Sequence, residues 1–256
     1  GVMVSEYMLQ QTPVNRVLPK WHEWMERWPT PKDLAKATPA QVITAWGRLG
    51  YPRRALRLHA AAQIIAEDFN NKVPDDQETL QLLPGVGEYT AAAIAAFAFE
   101  HRSLVMDVNI RRLLVRAIDG QEHPKPAATA REKARRLAVL PEKNAHVWAA
   151  ATMELGALVC TSKNPSCEFC PIIGQCNWRK NGYPKTELIR KSQDWHGTDR
   201  KCRGTIVQAL RENESLTESA IKKLWPNESQ VEKALKTLAN DLLIQRLPRN
   251  RYRLPQ

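Results

Sequence analysis

The chain has 256 residues, a formal net charge of +11 and a pI near 9.6. A hydrophobic share of 43% excludes broad disorder, and the length accommodates two or three domains. The longest apolar runs, alanine-rich stretches such as "AAAIAAFAF", fall short of the roughly 18 residues that a membrane-spanning helix needs.

The cationic excess favours a polyanionic partner, nucleic acid above all; a basic surface that binds nothing is the plain alternative. No secretory signal is visible, so a cytoplasmic, reducing location is the expectation.

In chain order, residues 1 to 120 read as short helices. "VNRVLPKWHEWMERWP" carries apolar positions at helical spacing and stops at Pro29. "TPKDLAKATPAQVITAWGRLG" gives two more, the second opening at Thr38 with Pro39 in its first turn and closing at Gly50. "PRRALRLHAAAQIIAEDF" is amphipathic. "DDQETLQLL" precedes a glycine turn, "AAAIAAFAF" follows it, and "VNIRRLLVRAI" is a further helix. Period-two alternation is almost absent, which predicts an all-α region. His59 and the tryptophans at 21, 24, 28, 46 and 148 read as core or helix-packing residues. A connection follows at 122 to 131, with helices at 128–140 and 144–159. Residues 183 to 199 read as a linker. The tail, 200 to 256, predicts three helices and a small hairpin, a winged-helix-like arrangement. It holds twelve Lys/Arg against six Asp/Glu. Arg246, Arg249, Arg251 and Arg253 suit either phosphate contact by the wing or a solvated hairpin.

Four of the five cysteines fall at Cys160, Cys167, Cys170 and Cys176. Such crowding predicts a metal centre rather than a disulfide framework. Both zinc and a [4Fe–4S] cluster take four thiolates, and spacing alone leaves the two open. Cys202 stands apart and reads as a buried free thiol.

In "LPGVGEYT", Gly85 and Gly87 admit backbone conformations closed to other residues. The amides of Gly85, Val86 and Gly87, at the mouth of a helix starting near Glu88, form a small anion site for a phosphate. Two acids invite chemistry. Glu6 lies among Val4, Tyr7, Met8 and Leu9, company that raises a carboxyl pKa. Asp107 precedes "VNIRRLL", where it is either a helix cap or a second reactive carboxylate.

These motifs together carry a resemblance. "LPGVGEYTAAAI", "VMDVNIRRLL" and the cysteine spacing resemble the helix-hairpin-helix DNA glycosylases. "VSEYMLQQTPV", "LGYPRRALRLH" and "MELGALVC" are similar to the branch that removes adenine mispaired with 8-oxoguanine or guanine. The likeness runs from about residue 2 to 178. It implies a six-helix barrel with a helix-hairpin-helix (1–120), an iron–sulfur domain (121–182) and a monomer acting on double-stranded DNA with a mismatched or oxidised pair, without a membrane. By resemblance, Glu6 is the catalytic acid, Asp107 supports the sugar cation, and Tyr89 and Asn109 are their partners. Gln11 and Tyr51 are wedges entering the duplex, and Thr12 and Leu49 lie near the opposing oxidised guanine. Lys163 approaches phosphate, and the four cysteines hold a [4Fe–4S] cluster. At the Tyr89 position, related bifunctional enzymes carry a lysine that forms a Schiff base. Tyrosine has no amine, so a monofunctional glycosylase is expected.

The pattern also differs from its relatives. The family normally has a helix upstream of the Glu6 segment. Ala150 stands where many relatives place Glu or Gln against adenine, and Val108 replaces a commoner glycine or threonine. The tail resembles a winged helix instead of the usual Nudix-like domain. Two rival functions follow from the same residues: a thymine or uracil mismatch glycosylase, and a non-catalytic iron–sulfur DNA-binding protein. Retention of both Glu6 and Asp107 disfavours the second.

Overall fold

The computed structural model describes residues 1–186 and 197–256, so most of the expected linker lies outside the described residues. The first body contains α1 (Val2–Leu9), α2 (Val14–Arg27), α3 (Pro31–Ala35), α4 (Pro39–Trp46), α5 (Arg53–Asp68), α6 (Gln77–Leu82) and α7 (Glu88–Phe99). Local chemistry sets several of these boundaries. Thr30 and Thr38 each open a helix with a reciprocal capping box, to Asp33 and Gln41, and each is followed by proline. The expected closure of α4 at Gly50 comes earlier. The helix ends at Trp46, Gly47 takes φ +55°, and a single 3₁₀ turn runs to Leu49. Tyr7, Met8, Trp24, Trp46, Leu58 and Ile94 build the core. Trp24 meets Trp46 edge-on at 5.5 Å. Helix α7 is buried almost all round, from Thr90 to Ala96, because its alanines let α1 and α6 approach closely.

The second body holds α8 (Val108–Leu114), α9 (Ala130–Val139), α10 (Ala145–Leu158) and α11 (Asn177–Lys180). The expected single helix over "VNIRRLLVRAI" changes at Val115 into a π-helical turn that ends at Asp119. Helices α8 and α10 touch through Gly156, where an added Cβ would lie 2.6 Å from the Asn109 carbonyl oxygen.

The tail forms α12 (Asp199–Glu212), β1 (Leu216–Thr217), α13 (Glu218–Lys222), α14 (Glu228–Asn240), β2 (Gln245–Leu247) and β3 (Arg251–Arg253). The expected hairpin is present, closed by Arg249 and Asn250 at positive φ. It gains a third strand that sequence reading missed, in the antiparallel order β1-β3-β2; two residues are too few to show alternation. Cys202 is a free thiol, fully buried with Ile206, Leu210, Leu235 and Tyr252. Ile43 of α4 belongs to this same cluster, so the tail is docked on the first body. Among the described residues no helix is long and apolar enough to cross a membrane.

One buried guanidinium ties the site-bearing segments together. Arg54 donates to the carbonyls of Tyr7, Met8 and Gln10 at the end of α1, to Thr12 Oγ1, and to the carbonyls of Leu49 and Gly50. Truncating it would leave several buried acceptors without donors. Arg54→Ala is therefore expected to cost about 3 kcal/mol or more in denaturant unfolding, with Arg54→Lys recovering only part. A loss below about 1 kcal/mol would show that water replaces the clasp.

Candidate active site and cysteine pocket

Helix α1 presents Glu6 to the interior, where it is 7% exposed. Burial raises its carboxyl pKa to about 7; a hydrogen bond from Tyr89 opposes the shift and the nearby Asp107 charge adds to it. Tyr89 stands in the first turn of α7. Burial, then the Glu6 and Asp107 charges, push its hydroxyl well above the ordinary phenol range, so it remains a neutral donor. Glu6, Tyr89 and Asp107, far apart in the chain, thus share one site.

Asp107 caps α8, as its position allows. Its Oδ1 accepts from the amides of Asn109 at 2.5 Å and Ile110 at 3.2 Å. The cap and the reactive carboxylate are thus compatible readings of one residue. Asn109 Oδ1 accepts from Arg112 Nη2 at 2.8 Å. Buried Arg112 also donates to the Cys160 carbonyl at 2.7 Å and to the Gly156 carbonyl.

The glycine turn is half as expected. Gly85 takes φ +86°, and a Cβ there would meet Tyr7 Cε1 at 2.9 Å, so glycine is required twice over. Gly87 is different. It caps α7 at φ −98° with open space around it, a conformation any residue adopts. Val86 also departs from the expectation of a DNA-facing residue: its side chain is buried in the core and its amide is bonded to the Leu83 carbonyl. The start of α7 has no side-chain cap, so its first amides retain bonding capacity for an anion.

Gln11 and Tyr51 are both exposed, and both are non-glycine residues at positive φ, +57° and +45°. Left-handed backbone at such residues is strained and concentrates at functional sites. Thr12 and Leu49 face inward. Leu49 is in the core, and Thr12 Oγ1 donates to the Leu49 carbonyl at 3.1 Å while accepting from Arg54. Neither side chain is turned toward solvent. Ala150 is exposed on α10.

Cys160, Cys167, Cys170 and Cys176 line a single pocket with Leu113, Arg116 and Trp178. Arg116, 1% exposed, donates to Cys160 Sγ at 3.3 Å and stacks over Trp178 at 4.5 Å. Burial raises the Cys167 and Cys170 thiols. Among the described residues no three His, Cys, Asp or Glu side chains stand close enough to hold one metal ion. Lys163 is exposed on the loop between the first two cysteines.

Sequence reading missed Arg54, Arg112, Arg116 and Gly156. A signal existed for Arg54: it falls in register with Leu58, Ala61, Ala62 and Ile65 on the buried face of α5, and a cation on an apolar face demands acceptors. Gly156 gives no such sign, since its need comes from a helix distant in sequence.

Residues 4–138 match the family described as HhH-GPD superfamily base excision DNA repair protein. The chain is 45% identical over 258 residues to the adenine DNA glycosylase of Mycobacterium tuberculosis, covering 99% of this chain and 84% of the relative. It is 42% identical over 183 residues to the human adenine DNA glycosylase, covering 70% of this chain and 33% of that protein. Among solved structures, a thermostable thymine-DNA glycosylase superposes with a TM-score of 0.65 at 22% identity, over 70% of this chain and 83% of that one. A non-covalent endonuclease III–DNA complex gives 0.62 at 20% identity, over 72% and 85%. These last two share the fold. With the matched segment spanning more than half of its length, this chain belongs to the HhH-GPD superfamily of base excision DNA repair proteins.

Proposed function

We propose that this protein is a monofunctional adenine DNA glycosylase that hydrolyses the bond between adenine and deoxyribose opposite 8-oxoguanine or guanine in duplex DNA. The observation that carries the reading is the pair of neighbouring carboxylates in unlike surroundings, a buried Glu6 hydrogen-bonded to Tyr89 and an amide-bonded Asp107. The relatives named adenine DNA glycosylase support the choice of adenine over thymine or uracil.

The chemistry follows from the two environments. The target adenine leaves the base stack and enters the site. Protonated Glu6 gives its proton to N7, so the C1′–N9 bond breaks with its electron pair on a neutral base. Positive charge develops on the sugar. The Asp107 carboxylate stabilises it, as the second carboxylate does in glycoside hydrolysis. Water then adds to C1′ and releases a proton, and an abasic site remains. Gln11 and Tyr51 fill the gap left in the duplex. Thr12 and Leu49 act from below, by holding the wedge backbone. The phosphate role of the turn rests on the free amides at the start of α7 and on Gly85. Lys163 is suited to a phosphate contact by its exposure.

The four cysteines fit a [4Fe–4S] cluster. They line one pocket together with Arg116 and Trp178, and four thiolates are the donor set such a cluster takes. Arg116 beside Cys160 complements the negative charge of four thiolates. When bound, the cluster would cross-link the loop from 160 to 176 and brace α8 through the Arg112 bonds.

Three outcomes test this reading. Glu6→Gln should lower single-turnover excision of adenine by about 10²–10⁴-fold. Wild-type excision should fall as pH rises through about 7, the raised Glu6 value. The same shift sets a stability difference of known sign. A raised carboxyl favours the folded state fully below pH 4.5 and progressively less as pH rises to about 7. Glu6→Gln should therefore unfold later than wild type at pH 8, by up to about 3 kcal/mol, and the gap should close near pH 4.5. A pH-independent gap would remove the basis for Glu6 as an acid.

Borohydride added during turnover on an adenine–8-oxoguanine duplex should trap no strong covalent adduct. A trapped species abolished by replacing one lysine would contradict the monofunctional assignment. Purified protein should carry iron and sulfide with visible absorbance, and Cys167→Ser should lose both. Zinc without sulfide in the wild type would overturn the cluster.

A further inference from the structure

The tail reaches the expected wedge. Arg200, on the first turn of α12, places its guanidinium carbon 4.1 Å from the centroid of the Tyr51 ring. Arg54 approaches the same ring at 5.6 Å. A buried cation of the first body and a surface cation of the tail thus both meet the Tyr51 ring.

The docking that puts Arg200 there is built in. Ile43 is enclosed by the tail's core, and Arg211 Nε donates to the Ile43 carbonyl at 3.1 Å. Asp241, after α14, accepts from Arg203 one turn beyond Arg200 and pairs with Arg53 of α5 at 3.1 Å. Apolar burial and a shared carboxylate therefore fix the start of α12 against the residues flanking Tyr51. Tyr51 needs such support, because its backbone is at φ +45° and its side chain is 40% exposed. A tyrosine that must enter a base stack loses less freedom if it is already oriented.

We propose that Arg200 is a positioning residue for Tyr51: the tail domain pre-orients the wedge by stacking a guanidinium on it, and so contributes to mispair engagement without touching the reacting atoms. This rests on the wedge reading of Tyr51.

The test is a double-mutant cycle on affinity for a duplex carrying a non-cleavable 2′-fluoro adenosine opposite 8-oxoguanine, with single-turnover excision measured alongside. Arg200→Ala should weaken binding about three- to tenfold, the order a surface cation–π contact supplies. The excision rate at saturating enzyme should move less than the affinity. Arg200→Lys, which keeps a cation at the ring, should restore part of the loss. In a Tyr51→Ala background, Arg200→Ala should add little.

Full additivity, with a salt dependence of binding reduced by about one counterion, would make Arg200 a plain phosphate contact and overturn the proposal. An unchanged affinity for Arg200→Ala would overturn it as well. If Tyr51→Ala itself binds like wild type, the wedge reading fails and the proposal fails with it. Loss of tail docking would appear as a lower unfolding midpoint in Arg200→Ala and Arg200→Lys alike. That result, with no rescue by lysine, also counts against positioning.

Discussion

The placement of the site depends on the Arg54 guanidinium. A helix ends in carbonyls that no further turn satisfies, and α1 ends two residues before the exposed Gln11. Arg54 takes three carbonyls there and two more from the Leu49–Gly50 turn. Two segments about forty residues apart are thereby held side by side. Burial lowers the Arg54 pKa to about 10, yet the group stays charged at neutral pH. A charge buried at that cost persists where many acceptors meet it at once. Glu6 lies one turn before the end of the clasped helix, so the bonds that fix the segments of Gln11 and Tyr51 also fix Glu6.

The chemistry then follows from unequal solvation of two like groups. Glu6 is buried, and its charged form is penalised. Asp107 has amide donors at a helix start. Tyr89 is hydrogen-bonded to Glu6, lies in the field of both carboxylates and adds no charge of its own. Glu6 therefore retains its proton near neutrality beside a carboxylate that two backbone amides hold in place. A general acid next to an electrostatic stabiliser needs that division.

Hydrogen bonds connect the cysteine pocket to the site that holds Asp107. Arg112 joins Asn109 to the Cys160 and Gly156 carbonyls, and Arg116 joins Cys160 to the π-helical turn that extends α8. The helix that Asp107 caps is thus braced from behind. In front, the tail supplies a core around Ile43 and a cation against Tyr51. Three bodies meet around a site whose side chains come mainly from the first.

By itself the sequence determined most of the helices, through caps such as Thr30 and Thr38, and the all-α class. It also located the cysteine cluster and, through the motif likeness, the pair Glu6 and Asp107. These signals are local: a cap, a period, a spacing. Tertiary structure alone decided which residues share a site and how each is charged, because desolvation and hydrogen bonding depend on neighbours distant in the chain. It turned Val86, Thr12 and Leu49 inward, released Gly87 from any special backbone need, and added a third strand too short to show a period. It also brought Gly156 against Asn109, and Arg200 against Tyr51, pairs whose spacing along the chain carries no periodic or compositional mark.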